Sequence, residues 1–249
     1  MIEHHIYNQD YQLLMPKFKD KEFSIAIVDI PYRIDVANMP YLKEMKTTVK
    51  QKNGTRLNGN RNKKVYTSMD WDKQVPPQSL FDELCRVSEH QIIFGIEYTN
   101  WHSVGKGRIK WDKGFSEKMS FNQYEVAYCS MIDYTMDLTL LWAGMNQAKS
   151  LSEPMTQQAN KQLNEKRIHP THKPVLLYKK LLQLFGKQGM KILDTHGGGM
   201  SSVIACIDAE IPITCTEINE EYYNKSKRRI LNHINQLNLF QQPKVIFEK

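Results

Sequence analysis

Two segments in which an apolar run ends at a polar turn most constrain what this chain can fold into. The first runs from Ile25 to Val28 and is followed by Asp29–Tyr32, with the sequence Asp-Ile-Pro-Tyr. The second ends at Asp194 and is followed by a turn that contains Gly197–Gly199. Short apolar runs bounded by turn residues are typical of buried strands. Either segment alone is a weak signal, but the two together, in this order, strongly limit the folds that fit.

The C-terminal third alternates strands and helices in the manner of a nucleotide-type binding domain. Strands are predicted at Lys191–Asp194 and Ile213–Thr216, and helices at Ser201–Ala209 and Asn219–Leu237. The second helix is predicted to be capped by Asn219, with Glu220 and Glu221 in its first turn. The order is strand, glycine loop, helix, strand, acid, helix. With 249 residues, the chain is long enough for one α/β domain with a substantial core.

The rest of the chain is predicted to hold further strands and helices, separated by polar stretches. The predicted strands are Ser24–Asp29, Gln91–Gly95, Gly107–Trp111, Tyr124–Ser130 and Asp137–Trp142. One helix is predicted to begin with Ser79 as its N-cap, and another to cover Lys173–Phe185. Residues 33–75 are predicted to be mostly loop, and residues 145–168 a loop or small insertion.

The glycine turn and a later acid predict a site for a ligand that contains a nucleoside. A glycine loop between a strand and a helix lets backbone N–H groups approach a ligand, because no side chain blocks them. Glu217 follows the next predicted strand, about twenty residues after the loop. A carboxylate at this position can accept hydrogen bonds from both ribose hydroxyls.

These residues resemble two motifs of a known family. Asp29–Tyr32 resembles the D-P-P-Y motif of enzymes that methylate an exocyclic amino group, and the glycine turn resembles the loop that holds S-adenosyl-L-methionine. Most methyltransferases carry the cofactor loop first. The reversed order here resembles the permuted beta class of site-specific DNA amino-methyltransferases of prokaryotes and phages.

The resemblance extends over most of the chain. His169–Leu177 resembles the H-P-T-Q-K-P segment that precedes the cofactor loop in this class, with His172 in place of the usual glutamine. Further blocks follow the family's order: Asp70–Asp72, the helix from Ser79, Gln91–Gly95 and Trp111–Lys113. The resemblance implies a circularly permuted, Rossmann-like methyltransferase fold, a mixed and mostly parallel sheet flanked by helices.

The same resemblance implies the residues of the cofactor site and a region that reads the DNA. The implied cofactor-binding residues are Thr171, Lys173, Asp194, His196, Gly197, Gly198, Gly199, Ser201, Ser202 and Glu217. Thr171 offers a hydroxyl, and Lys173 offers a cation suited to a carboxylate. A target-recognition insertion is expected within residues 130–168 of a single domain, 1–249.

Methyl transfer to an aromatic amine is difficult because the nitrogen lone pair is delocalised into the ring. Two acceptors aimed at the NH2 hydrogens favour a pyramidal nitrogen, and the Asp29 carboxylate and the Ile30 carbonyl are predicted to supply them. Pro31 fixes the turn, and Tyr32 offers a face for stacking. The base must be flipped out of the duplex, and neither a metal nor a covalent intermediate is required. In the resembling families an aspartate here goes mostly with adenine N6, and cytosine N4 is the alternative.

Two positions depart from the family pattern. Ile30 replaces the first proline of the motif, but its predicted role belongs to a backbone carbonyl. Met200 stands where the family usually has its second loop glycine, so its side chain is expected to crowd the cofactor or to force a different backbone angle. A DNA-binding relative with an impaired cofactor site is therefore a second hypothesis.

The net charge of +7 permits binding to nucleic acid and is unevenly distributed. Residues 33–69 are predicted to form a mobile basic loop that folds onto the phosphates of double-stranded DNA. The expected DNA-binding residues are Lys46, Lys50, Lys52, Arg56, Arg61, Lys63 and Lys64. Such contacts give affinity and salt dependence without reading the sequence.

Several further expectations follow from composition and short motifs. Cys85, Cys129, Cys206 and Cys215 form no zinc spacing and are expected to be thiols in a reducing cytoplasm. No apolar run approaches the roughly 20 residues of a membrane span. Gln236–Phe240 resembles the peptide by which bacterial enzymes dock on the DNA sliding clamp, although the apolar end of a long helix is the favoured explanation. The chain is expected to be a monomer or homodimer.

Two other enzyme classes fit less well. Methyltransferases that act on RNA or on protein amides usually carry the cofactor loop before a similar D/N-x-P-Y turn, the reverse of the order here. A dinucleotide-dependent oxidoreductase would need G-x-G-x-x-G, which the loop lacks, and would give Asp29 no role.

Overall fold

A computed structural model describes residues 2–33, 49–50, 56–57, 74–114, 122–236 and 243–248. Its centre is a nine-stranded sheet. In chain order, the strands of the described residues are β1 Glu3–Tyr7, β2 Phe23–Asp29, β3 Val49–Lys50, β4 Arg56–Leu57, β5 Ser88–Phe94, β6 Arg108–Asp112, β7 Tyr124–Cys129, β8 Thr135–Thr139, β9 Trp142–Ala143, β10 Asn146–Gln147, β11 Ile192–Asp194, β12 Ile213–Thr216 and β13 Lys244–Glu248. The α-helices are α1 Tyr11–Leu14, α2 Gln78–Val87, α3 Val175–Phe185, α4 Ser201–Asp208 and α5 Glu220–Ile234.

The order of strands in the sheet is β13-β1-β12-β11-β2-β5-β7-β6-β8. All pairs from β13 to β5 are parallel, whereas β7 runs antiparallel to both β5 and β6. The strands β11 and β2, which come from distant parts of the chain, are direct neighbours. The two sequence motifs therefore follow adjacent parallel strands at one edge of the sheet.

The sheet has apolar packing on both faces, because alternate side chains of its central strands point in opposite directions. On β2, Ile25 and Ile27 belong to one core cluster, and Ala26 and Val28 belong to the other. The first cluster includes residues of α3, α4 and α5, and the second includes the apolar side of α2. This burial on both faces explains why β2 is a continuous apolar run.

Most predicted elements are confirmed, with shifted ends. Pro77, not Ser79, is the N-cap of α2, and Pro174 delays the start of α3 to Val175. The predicted strand at Asp137–Trp142 is wrong in extent, because β8 ends at Thr139 and Trp142 begins the separate strand β9. Asn219 caps α5 as predicted, but the helix ends at Ile234 rather than at Leu237.

The edge strand β13 and its neighbour β1 are absent from the sequence prediction. Strand β1 has the sequence Glu-His-His-Ile-Tyr and shows little apolar pattern, yet His4 and Ile6 are buried. Its partners are β12 on one side and β13 on the other. Residues 130–168 contribute β8 to the main sheet and Leu138, Leu140 and Trp142 to the core.

Cys129, Cys206 and Cys215 are buried free thiols, as expected, and Cys85 is half-buried. Within the described part of the chain, no helix is both long enough and apolar enough to pass through a membrane.

Candidate active site

A cavity of about 470 Å³ lies at the carboxyl ends of β2, β11 and β12. Pockets for small ligands have volumes of about 300–1,000 Å³, so this cavity has room for a nucleoside-containing cofactor. The predicted residues that line it are Asp29, Ile30, Pro31, Tyr32, Thr171, Lys173, His196, Gly197, Gly198, Gly199, Ser201 and Glu217. Asp194 and Ser202 are buried just below the loop and do not line the cavity.

The glycine loop bends tightly over the end of β12. Gly197 N donates to Thr216 O at 2.8 Å. At Gly199, an added Cβ would lie 2.2 Å from His172 Nδ1, well inside contact distance. Only glycine therefore fits at this position, and the backbone closely follows the His172 ring.

Met200 adopts the left-handed backbone conformation, with φ 52° and ψ 40°, immediately before α4. Its side chain is fully buried in the core cluster and is not among the residues that line the cavity. The expected crowding of the cavity is therefore not found, and the backbone at Met200 has the left-handed conformation that glycine adopts most readily.

Glu217 holds the loop through its carboxylate. Its Oε2 accepts a hydrogen bond from Gly198 N at 2.7 Å, and its Oε1 accepts one from Asn219 N, also at 2.7 Å. Burial raises the pKa of Glu217 to about 7, although both backbone N–H groups act in the opposite direction. Each carboxylate oxygen keeps a lone pair, so the group can also accept from hydroxyls in the cavity.

Asp194 supports the loop from below. Its Oδ1 accepts from His196 N at 3.0 Å, and its Oδ2 accepts from Ser202 Oγ at 2.5 Å. Burial raises the pKa of Asp194 to about 6, against the effect of these two donors. Burial also lowers the pKa of His196 to about 4, so this ring, which packs against Tyr11, is neutral at pH 7.

Asp29 is held by one oxygen only. Lys173 Nζ donates to Asp29 Oδ1 at 2.5 Å, and Tyr32 OH donates to the same oxygen at 2.8 Å. Within the described part of the chain, Asp29 Oδ2 has no hydrogen-bond partner, and it is not one of the buried unpaired atoms. Asp29 thus presents one uncommitted acceptor at the wall of the cavity.

Tyr32 stacks on Tyr98, with ring centres 4.9 Å apart and planes at 15°. The ring fits because residue 95 is glycine: a Cβ on Gly95 would lie 2.2 Å from Tyr32 Cε1. Beside this pair is a second hollow of about 490 Å³, bounded also by Pro76, Pro77 and Trp101. It shares Tyr32 and both prolines with the first cavity.

The sequence prediction missed Glu125, on β7. Its Oε2 lies 2.9 Å from Lys173 Nζ, and its Oε1 lies 2.5 Å from Lys113 Nζ. The only signal in the sequence is a charged residue inside a predicted strand. The Lys173 ammonium, predicted to meet a cofactor carboxylate, is thus already bonded to carboxylates of the protein.

His172 is buried beneath the loop in a polar network. Ile168 N donates to its Nδ1 at 3.3 Å, so the ring proton is on Nε2, which donates to Glu165 Oε1 at 2.8 Å. Arg229 Nη2 contacts the same carboxylate oxygen, and Arg229 Nη1 donates to Gly199 O. Burial lowers the pKa of His172 to about 4, against the effect of Glu165, so the ring is neutral at pH 7.

Thr171 pairs with His169 at the cavity wall, through a 2.9 Å contact of its Oγ1 with His169 Nδ1. Among the side chains that the structure describes, no group of three or more His, Cys, Asp or Glu residues could hold a metal ion.

Most of the predicted DNA-binding residues lie outside the described residues. These are Lys46, Lys52, Arg61, Lys63 and Lys64; for Lys50 and Arg56 only the backbone is described, in the antiparallel pair of β3 and β4. Asp70–Asp72 and residues 237–240 of the predicted clamp peptide are outside them too.

Comparison with known proteins gives one family and several similar structures. A family model described as DNA methylase matches residues 5–228. The structure of M1.HpyAVI, in complex with SAM, is 16% identical with a TM-score of 0.51, over 92% of this chain and 99% of that one. TTHA0409 from Thermus thermophilus, complexed with S-adenosyl-L-methionine, is 10% identical with a TM-score of 0.49, over 98% of both chains.

PvuII DNA methyltransferase, which is cytosine-N4-specific, is 11% identical with a TM-score of 0.49, over 97% of this chain and 88% of that one. A search of curated proteins gave no significant match. At 16% identity and a TM-score of 0.51, the likeness to M1.HpyAVI concerns the fold alone. It agrees with the predicted mixed, mostly parallel sheet flanked by helices, and this fold prediction is confirmed.

Proposed function

Because this chain belongs to the DNA methylase family whose model covers residues 5–228, we propose that it methylates adenine N6 in a specific sequence of double-stranded DNA. The methyl donor is S-adenosyl-L-methionine, which supplies an electrophilic methyl group when bound. The preference for adenine rests on the aspartate at position 29, and cytosine N4 is the alternative.

The uncommitted oxygen of Asp29 carries the proposal. Asp29 Oδ1 is occupied by Lys173 and Tyr32, so Oδ2 is the acceptor available to an incoming amino group. The same cavity contains the glycine loop and Glu217. An amino-group acceptor and a nucleoside-type site in one cavity suit methyl transfer to an exocyclic amine.

The cavity fits the proposed cofactor on three observations. Gly199 has no room for a Cβ, so the backbone of the loop stays bare. Glu217 keeps acceptor capacity for two hydroxyls. The Met200 side chain lies in the core, which argues against the hypothesis of a cofactor-impaired relative.

The residues of this chain would act by orientation. Asp29 Oδ2 and the Ile30 carbonyl would each accept one N–H of the amino group, which frees the nitrogen lone pair for attack. The hollow beside Tyr32 and Tyr98 gives a flipped base a place next to this turn. Asp29 must be ionised to accept a hydrogen bond from the amino group. Burial raises the pKa of Asp29 above the ordinary range, although the charge of Lys173 acts in the opposite direction.

The deciding experiment measures transfer of labelled methyl from S-adenosyl-L-methionine to unmethylated duplex DNA. The wild-type protein is compared with Asp29→Ala and, as a control, Asp20→Ala, which changes a 77% exposed carboxylate just before β2, at the opposite end of that strand from Asp29. We expect label that digests to N6-methyladenine and is lost only in Asp29→Ala. Label in N4-methylcytosine would contradict the choice of base, and no label on diverse DNA despite cofactor binding would contradict the substrate.

A further inference from the structure

Glu125 and Asp29 are carboxylates on strands separated by β5 in the sheet. In the sheet register Asp29 pairs with Phe94, and Phe94 pairs with Ala127, two residues beyond Glu125. Lys173 spans the gap above β5. Its Nζ lies 4.7 Å from the centre of the Phe94 ring, 2.5 Å from Asp29 Oδ1 and 2.9 Å from Glu125 Oε2.

All three N–H donors of the Lys173 ammonium have partners in this arrangement. It has three N–H donors, and its third partner is Tyr32 OH at 2.8 Å. Its side chain is only 3% exposed. Since each donor has a partner, the ammonium has a fixed position, and it pulls one oxygen of Asp29 toward the interior.

Asp29 and Glu125 both contact the Lys173 ammonium, but they differ in the number of cations near them. Glu125 has a second cation, Lys113, and the two cations outweigh burial and lower the pKa of Glu125 to about 2. Among the described residues Asp29 contacts one cation, Lys173, and burial together with the charge of Glu125 raises the pKa of Asp29. The other groups near the pair are Tyr32, Tyr178 and Asp194 around Asp29, and Glu97 and Tyr98 around Glu125.

We propose that Glu125 is a positioning residue of this site: it anchors the Lys173 ammonium, which holds Asp29 Oδ1 and leaves Asp29 Oδ2 open to the substrate amino group. The proposal rests on the function proposed above. Glu125 touches neither substrate nor cofactor; it acts through Lys173, and its Oε2 also lies 3.2 Å from Tyr32 OH. Lys113 binds the other oxygen of Glu125, so Asp29, Lys173, Glu125 and Lys113 form a row of alternating charges with Lys113 at one end.

The first test does not depend on activity. The titration of the Asp29 carboxyl is followed by NMR of protein with 13C-labelled aspartate, assigned with Asp29→Asn. In Glu125→Gln a like charge is removed, so the pKa of Asp29 falls by about one unit. In Lys113→Gln, Glu125 loses its second cation and interacts more strongly with Lys173, so Asp29 is less stabilised as a carboxylate and its pKa rises. Glu97→Gln is the matched control, because Glu97 is a nearby exposed carboxylate with no contact to Lys173 among the described residues.

The second test is the pH profile of methyl transfer. We expect Glu125→Gln to lower kcat about 10- to 100-fold, with KM for the cofactor unchanged and the acid limb at lower pH. Lys113→Gln is expected to move the acid limb to higher pH. A glutamate with a purely structural role would leave the limb in place.

The outcomes separate the two proposals. An Asp29 pKa unchanged in both variants, or a wild-type kcat in Glu125→Gln, overturns the role of Glu125. If Glu125→Gln does not fold, the direction in which Lys113→Gln shifts the pKa of Asp29 decides, since Lys113 contacts Glu125 but not Asp29 or Lys173 among the described residues. If the wild-type protein methylates no DNA, the proposed function fails, while the titration still reports whether Glu125 controls Asp29.

Discussion

At the scale of single residues, Met200 shows that a side chain can occupy a left-handed backbone position without entering the cavity. Left-handed backbone costs a residue with a side chain about 1–2 kcal/mol, because Cβ approaches the carbonyl oxygen. Burial of the Met200 side chain in the core offsets this cost. The departure from glycine is thus compatible with an intact cofactor loop.

Met200→Ala is expected to destabilise the protein by about 2–4 kcal/mol, because it empties a buried volume. The affinity for S-adenosyl-L-methionine should change by less than about threefold, since the side chain does not line the cavity. Urea unfolding and calorimetry measure the two effects. Met145→Ala is the control, since Met145 is 63% exposed and its loss should cost less than about 0.5 kcal/mol. A large loss of cofactor affinity in Met200→Ala would contradict this assignment.

We expect Glu217 to make cofactor binding depend on pH. Its pKa is raised to about 7, so the carboxylate, the better acceptor for ribose hydroxyls, predominates above pH 7 and is lost as the pH falls through 7. We expect calorimetric affinity for S-adenosyl-L-methionine to weaken between pH 8 and pH 6. Glu217→Gln should bind about 10- to 100-fold more weakly at pH 8, as expected for a lost charged hydrogen bond. It should also show little change over this pH range, and an unchanged pH dependence would contradict the role of Glu217.

The residues of the site differ in how far the sequence could predict them. Asp29 ends a predicted strand and Gly199 and Glu217 follow predicted strands, so the local pattern indicated all three as candidates. The partners of Lys173 could not be predicted, because Asp29 and Glu125 reach it from strands distant in the chain. Glu125 has no local signature, since its role exists only after β7 has joined the sheet.

At the scale of elements, the glycine loop is supported by α5 and by the segment before α3. Arg229 of α5 donates to Gly199 O and to Glu165, whose carboxylate also accepts from His172 and from Val175 N. The loop therefore depends on a charge pair that lies behind it. This pair connects the helix to the backbone that faces the cavity.

Breaking this pair is expected to loosen the loop. Arg229→Gln leaves Glu165 buried with one cation fewer, which should cost about 3–5 kcal/mol of unfolding free energy and weaken cofactor binding. The double variant Glu165→Gln/Arg229→Gln should lose less than the sum of the two single variants, by at least about 1 kcal/mol. Urea unfolding of all four proteins measures this coupling. Strict additivity would show that the pair does not act as a unit.

The elements also show where local pattern fails. Helix α3 was predicted because its apolar residues recur at helical spacing, and α5 because Asn219 is a good N-cap followed by two acids. Strand β1 was not, because a five-residue run with two histidines carries too little apolar pattern. Its burial comes from β12 and β13 on its two sides, which is a property of the assembled sheet.

At the scale of the whole molecule, the predicted basic loop should govern the salt dependence of DNA binding. Each phosphate contact in duplex DNA contributes about −0.9 to the slope of log K against log salt concentration. Replacing Lys46, Lys52 and Lys63 by alanine together should make this slope shallower by about 2–3, at any DNA sequence. Fluorescence anisotropy at several salt concentrations measures it. The control is Lys180→Ala, on α3, and an unchanged slope in the triple variant would contradict the assignment.

The pairing of β1 has a consequence for how the chain folds as it is synthesised. Strand β1 is made first but pairs with β12 and β13, which a ribosome releases roughly 200 residues later, about 10–40 s at ordinary rates of synthesis. Strand β2, which carries Asp29, also waits for its neighbour β11. A nascent chain therefore exposes unpaired strand edges for most of its synthesis. The yield of folded protein should accordingly depend on chaperones that shield such edges until release.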